Sequence, residues 1–429
     1  MIGVYIVILV TLLIVQILKI CNDRRYIVSP GFIFLIVWSL IFILYSLGLY
    51  DINSVSESTL LILFLGVICT VGGITLGEHC TISKKIKSQK ILSEKAYYIC
   101  SIILFGVLIA TAYNSISLIL SGATLGAIRY SERAAVLNTG MLDILYNYYA
   151  VPMGYLLVHV NLNEMFNQTG KKKIYMGSTI LIAVASILTE AGRFIIYFIA
   201  IDAIVLYLWY NRQVFSINPK IKRYIRILIS ASVIGFIFIT VNRGSDILKT
   251  VYTYVCGCVP YFENKIQHFD TYYNNTYFFT SLNGLIRPFF VVINKVIGIK
   301  IPEIVANVEA ILLDVEVNHQ LIAPTVVYNG FVSMFFSFYA DLGVLGIAIY
   351  SFAFGGVLGG AFRKLLHTNT NRAIVMYMIM IQAISISMMR FFFVSFNFAL
   401  MLVYINILFS KKNDMFEEES LYKSKEKLR

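Results

Sequence analysis

Apolar runs recur from one end of this chain to the other, and they constrain its fold more than any other feature. Hydrophobic residues make up 59% of the 429 residues and charged residues only 14%, which is more apolar surface than a soluble core can bury. The runs approach the ~20 residues that a helix needs to cross a bilayer, and helices satisfy their own backbone polar groups there. The sequence therefore predicts an all-α polytopic membrane protein.

The runs predict about eleven transmembrane helices and one large loop. The predicted spans are residues 2–20, 31–49, 59–77, 97–120, 142–160, 176–189, 193–210, 226–242, 341–361, 373–389 and 391–409. The predicted domains are a first bundle of about eight helices (1–242), an extracytoplasmic loop with interfacial helices (243–340), three last helices (341–410) and a charged tail (411–429). The first run is followed, not preceded, by basic residues, so we expect a retained anchor.

The lysines and arginines orient these spans. With the N-terminus outside and the C-terminus in the cytoplasm, only ten of the 35 lysines and arginines fall outside. Basic residues concentrate on the cytoplasmic side of membrane proteins, so the opposite orientation is disfavoured. The net charge of +12 then follows from topology and from attraction to anionic inner-leaflet lipid, and nothing indicates nucleic-acid binding.

Several common catalytic motifs are missing from the sequence. There is no Walker phosphate loop, no H-E-x-x-H and, in the outer loops, no D-x-D. Cys256 and Cys258 form a C-x-C without zinc-ribbon spacing, and we expect inert thiols. ATP-driven transport, zinc hydrolysis and metal-dependent glycosyl transfer lose support, and we expect neither a cofactor nor a metal.

Arginines at the predicted outer face are candidate ligands for an anion. Arg193, Arg243 and Arg390 lie at the outer ends of separate predicted helices, and Arg287 interrupts an apolar part of the outer loop. A guanidinium stays charged and bonds phosphate oxygens in pairs, so such a set would suit a phosphate or diphosphate. The alternative is that each arginine reaches to lipid headgroups or pairs locally.

Two residues of the second half are candidates for proton transfer. His319 lies in the outer loop shortly before the membrane is re-entered, and an imidazole can accept a proton from a hydroxyl at neutral pH. The alternative is an ordinary surface histidine. Asp341 opens a predicted span, where it would cap the backbone, orient His319 or hold a sugar hydroxyl. Asp202, deeper in the membrane, is expected to hydrogen-bond another helix.

The predicted outer loop contains two helical segments. Pro302 to Leu313 carries its apolar residues on one stripe, which is typical of a helix lying along the membrane surface. Leu285 to Ile299 is apolar but interrupted by charges and a proline, which favours an interfacial or partly re-entrant segment. The many aromatic residues between Tyr252 and Phe279 are candidate contacts for sugar rings, or an interfacial belt.

Four short segments lie at defined positions in this predicted architecture. They are Thr189-Glu190-Ala191-Gly192-Arg193-Phe194 at an outer helix mouth, Val241-Asn242-Arg243-Gly244 before the large loop, Asn318-His319-Gln320 inside it, and Tyr339-Ala340-Asp341-Leu342-Gly343-Val344-Leu345-Gly346 at membrane re-entry. With them, the chain resembles bacterial oligosaccharide repeat-unit polymerases of the Wzy type. These belong with the O-antigen ligases among polytopic glycosyltransferases.

The resemblance implies a glycosyltransferase at the outer face of the bacterial cytoplasmic membrane. A growing glycan would leave undecaprenyl diphosphate and join a hydroxyl of a new lipid-linked repeat unit, for O-antigen, capsule or exopolysaccharide. The departing diphosphate supplies the energy, so no nucleotide or ion gradient is needed. The implied partners are the undecaprenyl-diphosphate-linked oligosaccharide, membrane lipid, and the chain-length regulator and flippase of the same pathway.

The resemblance also assigns roles to residues. Arg193 and Arg243 would hold the diphosphate and neutralise its developing charge. His319 would activate the acceptor hydroxyl, with Asp341 as orienter or alternative base. Arg287 and Arg390 would be further phosphate contacts.

Three alternatives stay open. An O-antigen-type ligase would use nearly the same chemistry on a different acceptor. A flippase for the same lipid-linked sugar would have short outer loops and charges inside its central cavity. A non-catalytic scaffold for polysaccharide assembly would leave polymer length unchanged after Arg193→Ala and Arg243→Ala.

Overall fold

The computed structural model describes residues 2–80, 90–122, 140–167, 172–190, 194–211, 247–328 and 331–411, and it is mostly helical. The predicted all-α class is confirmed. The predictions for Arg193, Arg243, the span 226–242 and the tail after Lys411 concern residues outside these ranges.

The described part of the first half of the chain consists mainly of apolar helices. They are α1 (Ile2–Asn22), α2 (Pro30–Ser46), α3 (Glu57–His79), α4 (Glu94–Leu120), α5 (Met141–Leu145), α6 (Val151–Phe166), α7 (Lys172–Glu190) and α8 (Phe194–Tyr210), with 3₁₀ turns at Arg24–Val28 and Leu49–Asp51, strand β1 at Lys90–Leu92 and a π-helical turn at Tyr146–Ala150. Ser29 and Ser56 start α2 and α3, because each side chain accepts a backbone N–H of the first turn.

The second half combines shorter helices, a hairpin and one long helix. They are α9 (Ile247–Cys256), α10 (Cys258–Tyr272), α11 (Asn283–Ile297), α12 (Glu303–Val317), β2 (Gln320–Ala323), β3 (Val326–Tyr328), α13 (Phe335–Thr368), α14 (Asn371–Ser385), a 3₁₀ turn (Phe392–Val394), α15 (Phe396–Ala399), α16 (Met401–Leu408) and β4 (Phe409–Lys411). Strands β2 and β3 form an antiparallel hairpin, and β1 pairs with β4, also antiparallel.

Several of these helices suit a membrane. In the described ranges, four are long and apolar enough to cross one: Ile2–Asn22, Glu57–His79, Glu94–Tyr113 and Phe335–Thr368. Shorter apolar helices are Pro30–Ser46, Lys173–Ile187, Phe194–Tyr210 and Phe396–Leu408. These helices fall where the apolar runs predict spans. The total of eleven spans stays a prediction.

The longest helix, α13, differs from its predicted span. It begins at Phe335 instead of residue 341, and it is broken at Leu342 and Gly343. Gly343 has φ 60° and ψ −144°, a conformation that strongly favours glycine. The predicted span 391–409 also differs from a single helix, because Phe392–Val394 forms a 3₁₀ turn and Ser395 is extended, so that the α-helical part begins at Phe396.

Helices α3 and α13 run parallel and touch backbone to backbone. A Cβ atom added to Gly73 would lie 2.0 Å from the carbonyl oxygen of Phe352, and one added to Gly359 would lie 2.1 Å from that of Ile74. Such distances are shorter than any real contact, so only glycine fits. Small residues four apart are the usual means of close helix packing in membranes. This pair joins the two halves of the chain.

Helix α6 is buried on nearly every side and is tied to its neighbours by polar side chains. The bonds run from Tyr97 of α4 to Asn161 (2.8 Å), from Asn161 to Ser178 of α7 (3.2 Å), from Tyr210 of α8 to Asn163 (3.0 Å) and from Asn371 of α14 to Glu164 (2.7 Å). Interhelical hydrogen bonds of this kind stabilise helix association where lipid cannot satisfy polar groups.

Residues 247–328 contact one end of α3. The carboxylate of Glu263, on α10, accepts hydrogen bonds from the backbone of Ser56 (2.8 Å) and the hydroxyl of Thr59 (2.9 Å) at the start of that helix. Glu78, at the other end, pairs with Lys19 at 3.2 Å. Because α3 is about 34 Å long, the two sets of contacts lie at opposite ends of the bundle.

Candidate functional site

Helix α12 holds two arginines through two carboxylates on one face. Glu309 forms an ion pair with Arg287 of α11. Glu316 forms one with Arg390, with 2.9 Å between its Oε1 and the arginine Nη1. Seven residues correspond to almost two complete turns, so both carboxylates point the same way, about 10 Å apart along the axis. The structure thus brings two of the predicted arginines to a single helix.

Arg287 is held on the inner face of α11. Its guanidinium carbon lies 5.9 Å from the centre of the Phe396 ring, and its side chain is 20% exposed. Its Nε is buried and has no hydrogen-bond partner among the described residues. A cation over an aromatic face is stabilised by the ring.

Arg390 lies in the turn that follows α14. Its backbone N–H donates to the carbonyl of Ile386 (3.1 Å), and its backbone pairs with Ser333, just before α13. The neighbouring Met334 donates to the carbonyl of Ser387 at 2.7 Å. The start of α13 therefore fixes the backbone of Arg390, while its side chain, 33% exposed, reaches Glu316.

His319 lies beside the same glutamate. Its Nε2 is 2.9 Å from the carbonyl oxygen of Glu316, and its ring is exposed. A carbonyl oxygen only accepts, so Nε2 carries a proton and donates it. In the neutral ring the other nitrogen, Nδ1, then presents a lone pair, which is the form that a general base requires.

The end of α12 is anchored by α10. Lys265, 1% exposed, donates to the carbonyl of Asp314 (3.0 Å) and to its carboxylate (2.9 Å). The hydroxyl of Tyr261 donates to the carbonyl of Val315 at 2.8 Å. Cations and donors at a helix C-terminus satisfy carbonyls that have no partner within the helix. They fix the position of the residues that carry His319.

Asp341 has a different environment. It is completely buried, and its carboxylate accepts the backbone N–H groups of Thr280 (2.9 Å) and Ser281 (3.0 Å) and the hydroxyl of Thr276 (2.8 Å). It therefore caps the backbone of the turn before α11, whereas capping of its own helix was expected. No hydrogen bond of the described residues joins it to His319. Its catalytic role stays a prediction.

A π-helical turn near Arg287 was not anticipated from the sequence. The hydroxyl of Tyr146 donates to Thr189, at the end of α7, over 2.7 Å. The ring of Tyr148 packs edge-on against Phe396, with 4.9 Å between ring centres. This turn links the end of α7, which leads to Arg193 in the sequence, with the surroundings of Arg287. Turns of this type are frequent at functional sites.

The glutamates of the site were also missed. Glu309 and Glu316 are spaced for one helix face, and this spacing was a readable signal. Their arginine partners, on α11 and after α14, are distant in sequence, so the sequence alone could not predict these ion pairs. The predicted arginines do not all meet: Arg287 and Arg390 are two turns of α12 apart, while Arg193 and Arg243 lie outside the described residues. Asp202 does bond other helices, as predicted.

No known protein family, curated protein or solved structure matches this chain.

Proposed function

We propose that this chain is a polysaccharide polymerase that joins undecaprenyl-diphosphate-linked oligosaccharide repeat units at the outer face of the bacterial cytoplasmic membrane. The observation that carries the proposal is the meeting of His319 and Arg390 at Glu316. A proton acceptor and a guanidinium from separate parts of the chain lie at one helix end. In glycosyl transfer from a diphosphate carrier, a base can activate the acceptor hydroxyl and a cation can stabilise the leaving diphosphate.

In the proposed reaction, Nδ1 of His319 accepts the proton of an acceptor hydroxyl. The hydroxyl oxygen attacks the anomeric carbon of the donor glycan, and the bond from this carbon to the diphosphate oxygen breaks. Undecaprenyl diphosphate leaves with the bonding electrons. Arg390 stabilises the negative charge that develops on it, because a fixed guanidinium needs no reorganisation during the step.

Arg287 is the second anion contact in this proposal. It lies farther along α12 than one diphosphate extends, so it would meet the diphosphate only after its side chain moves, or it would hold a neighbouring anion. Its guanidinium, which is partly exposed and pairs with the carboxylate of Glu309, supports a role in anion binding. Arg193 and Arg243 remain proposed as the principal diphosphate ligands.

The test is a reconstituted assay with the purified protein and lipid-linked repeat units. Polymer should form without ATP, added metal or an ion gradient. His319→Gln and Arg390→Ala should each lower the rate by about 100-fold or more, whereas Lys300→Ala, an exposed cation after α11, should not.

The products separate the alternatives. Transfer of glycan to an acceptor that is not lipid-linked would indicate a ligase. Movement of the lipid-linked unit across the bilayer without elongation would indicate a flippase. Polymer formation by the double variant Arg390→Ala, His319→Gln at the wild-type rate would overturn the proposed site.

A further inference from the structure

A second polar site lies inside the helical bundle. His159 of α6, Asp202 of α8 and Gln382 of α14 meet there. Nδ1 of His159 is 2.6 Å from Oδ2 of Asp202, and Nε2 of Gln382 donates to Oδ1 of the same carboxylate at 3.1 Å. His159 and Asp202 are each 1% exposed and Gln382 is 0% exposed. No described hydrogen bond joins these residues to Arg287, His319 or Arg390.

Two atoms of this site have no hydrogen-bond partner among the described residues. They are Nε2 of His159 and Oε1 of Gln382. An ionised carboxylate only accepts, so with Asp202 ionised Nδ1 of His159 donates to it. An uncharged His159 would then present Nε2 as an unpaired acceptor, in a site that also holds the unpaired Oε1 of Gln382 and an uncompensated carboxylate. Buried polar groups and charges are rarely left in this state.

The surrounding helices offer little to balance the charge of Asp202. Helices α6 and α8 contain no lysine or arginine, and Arg372 of α14 lies ten residues before Gln382, about 15 Å along the helix. Other charged groups on the packed elements lie near helix ends. They include Glu94 and Lys95 of α4, Lys173 of α7, Glu164 of α6, and Arg24 and Arg25 of the turn beside α8, where Arg25 pairs with Asp23. The hydroxyls of Tyr197 and Tyr377 donate to backbone carbonyls.

The nitrogen and oxygen atoms of this site determine which cation could balance the charge of Asp202. One ring nitrogen and a few oxygens do not make the tetrahedral cage of zinc or the six or more oxygens of calcium. A proton on Nε2 makes His159 an imidazolium, balances Asp202 and converts Nε2 into a donor. As a donor, Nε2 can bond a buried water molecule, and Oε1 of Gln382 can accept from one. The 2.6 Å contact suits a charge-assisted bond.

We infer that His159, Asp202 and Gln382 form a proton-binding site, which holds one proton as an imidazolium–carboxylate pair between α6 and α8 at neutral pH. This site is independent of the proposed polymerase reaction. It makes proton uptake part of the assembly of the bundle, because neither α6 nor α8 can bury its ionisable residue alone at low cost.

Nitrogen-15 NMR of histidine-labelled protein in lipid tests the site directly. The chain has five histidines, and His159 is the buried one. Its signal, assigned by its loss in His159→Gln, should show both ring nitrogens protonated at pH 7.5. In Asp202→Asn, which keeps the shape but removes the countercharge, the ring should become neutral.

A neutral imidazole in the wild-type protein at pH 7.5 would overturn the inference, as would a protonated ring that Asp202→Asn leaves unchanged. If the variants do not fold, the wild-type spectrum still decides, because the buried ring of His159 is the one that a water-soluble paramagnetic agent leaves unbroadened.

Discussion

Glu309 and Glu316 lie on the same face of α12, and each holds an arginine that comes from a different part of the chain. Both ion pairs are partly open to solvent, with the glutamate side chains 38% and 48% exposed. Such pairs contribute little free energy, roughly 0–1 kcal/mol. The carboxylates therefore keep the guanidinium groups in place while leaving them open to a stronger anion.

Removing one carboxylate should improve anion binding. In Glu316→Gln, inorganic pyrophosphate no longer competes with a carboxylate for Arg390, so its affinity should rise up to about fivefold, which corresponds to about 1 kcal/mol. Isothermal titration in detergent at low and high salt measures this. Glu303→Gln, an exposed carboxylate at the start of the same helix, is the control. An equal rise of the pyrophosphate affinity in both variants would mean that the effect comes from net charge and not from the release of Arg390.

Adjacent glycines of α13 allow a matched test of the backbone contact with α3. Gly359→Ala places a methyl group against the carbonyl of Ile74, whereas a Cβ at Gly360 meets nothing within 4 Å. Overpacking of this kind costs about 1–3 kcal/mol. The midpoint of thermal unfolding in detergent should fall for Gly359→Ala and stay or rise slightly for Gly360→Ala. Equal midpoints would contradict the parallel packing of α3 and α13.

The sequence predicts the positions of the helices well, because a span requires a long apolar run. It also contains the glycine spacing of α3 and α13, Gly73 to Gly77 and Gly355 to Gly359, but spacing alone cannot say which helices pair. The break at Gly343 depends on tertiary contacts, since Asp341 binds the turn before α11. Local sequence patterns do not predict such a contact between distant segments.

The candidate site was predicted in part for the same reason. His319 and Arg390 are recognisable as residue types in suggestive places. Their meeting at Glu316 depends on Lys265 anchoring α12 and on Ser333 fixing the turn after α14, and these contacts join segments far apart in the sequence. The chemical capacity of His319 and Arg390 follows from their residue types, whereas their closeness in space depends on the fold.

The role of Asp341 can be decided by one substitution. Asp341→Asn puts an amide N–H₂ where the N–H groups of Thr280 and Ser281 now find acceptors, which should cost about 1–3 kcal/mol. A lower unfolding midpoint is therefore expected, with any loss of activity following the loss of folded protein. Asp270→Asn, which alters an exposed bond to Tyr339, is the control. Lost activity with an unchanged midpoint would instead restore the catalytic assignment.

The thiols of Cys256 and Cys258 should be unreactive. Both are buried, and burial raises the pKa of Cys256 to about 12 and that of Cys258 further. At pH 8 the reactive thiolate form of both residues is therefore strongly disfavoured. Mass spectrometry after maleimide treatment at pH 7.5 should therefore find Cys21 and Cys80 modified, since both are exposed, and Cys256 and Cys258 unmodified until the protein is denatured. Rapid modification of Cys258 in the folded protein would contradict its burial.

Helix α11 has an apolar stripe that supports the predicted interfacial position. Leu285, Phe289, Val292 and Val296 lie along one face and are 37%, 62%, 47% and 77% exposed, while Arg287 lies on the opposite face. A helix resting on lipid buries such a stripe about 5–10 Å into the headgroup and acyl boundary. Arg287, one helix diameter above, would then lie near the depth of the lipid phosphates.

Fluorescence quenching should detect this contact. Val292→Trp, in vesicles with brominated acyl chains, is expected to lose much of its added emission, because the ring would enter the acyl boundary. Thr325→Trp, in the exposed turn between β2 and β3, is the control and should keep its emission. The two native tryptophans are buried in the protein, so the wild-type signal can be subtracted. Equal quenching at both positions, or none at Val292→Trp, would mean that the stripe does not rest on lipid, and Arg287 would lose its proposed depth.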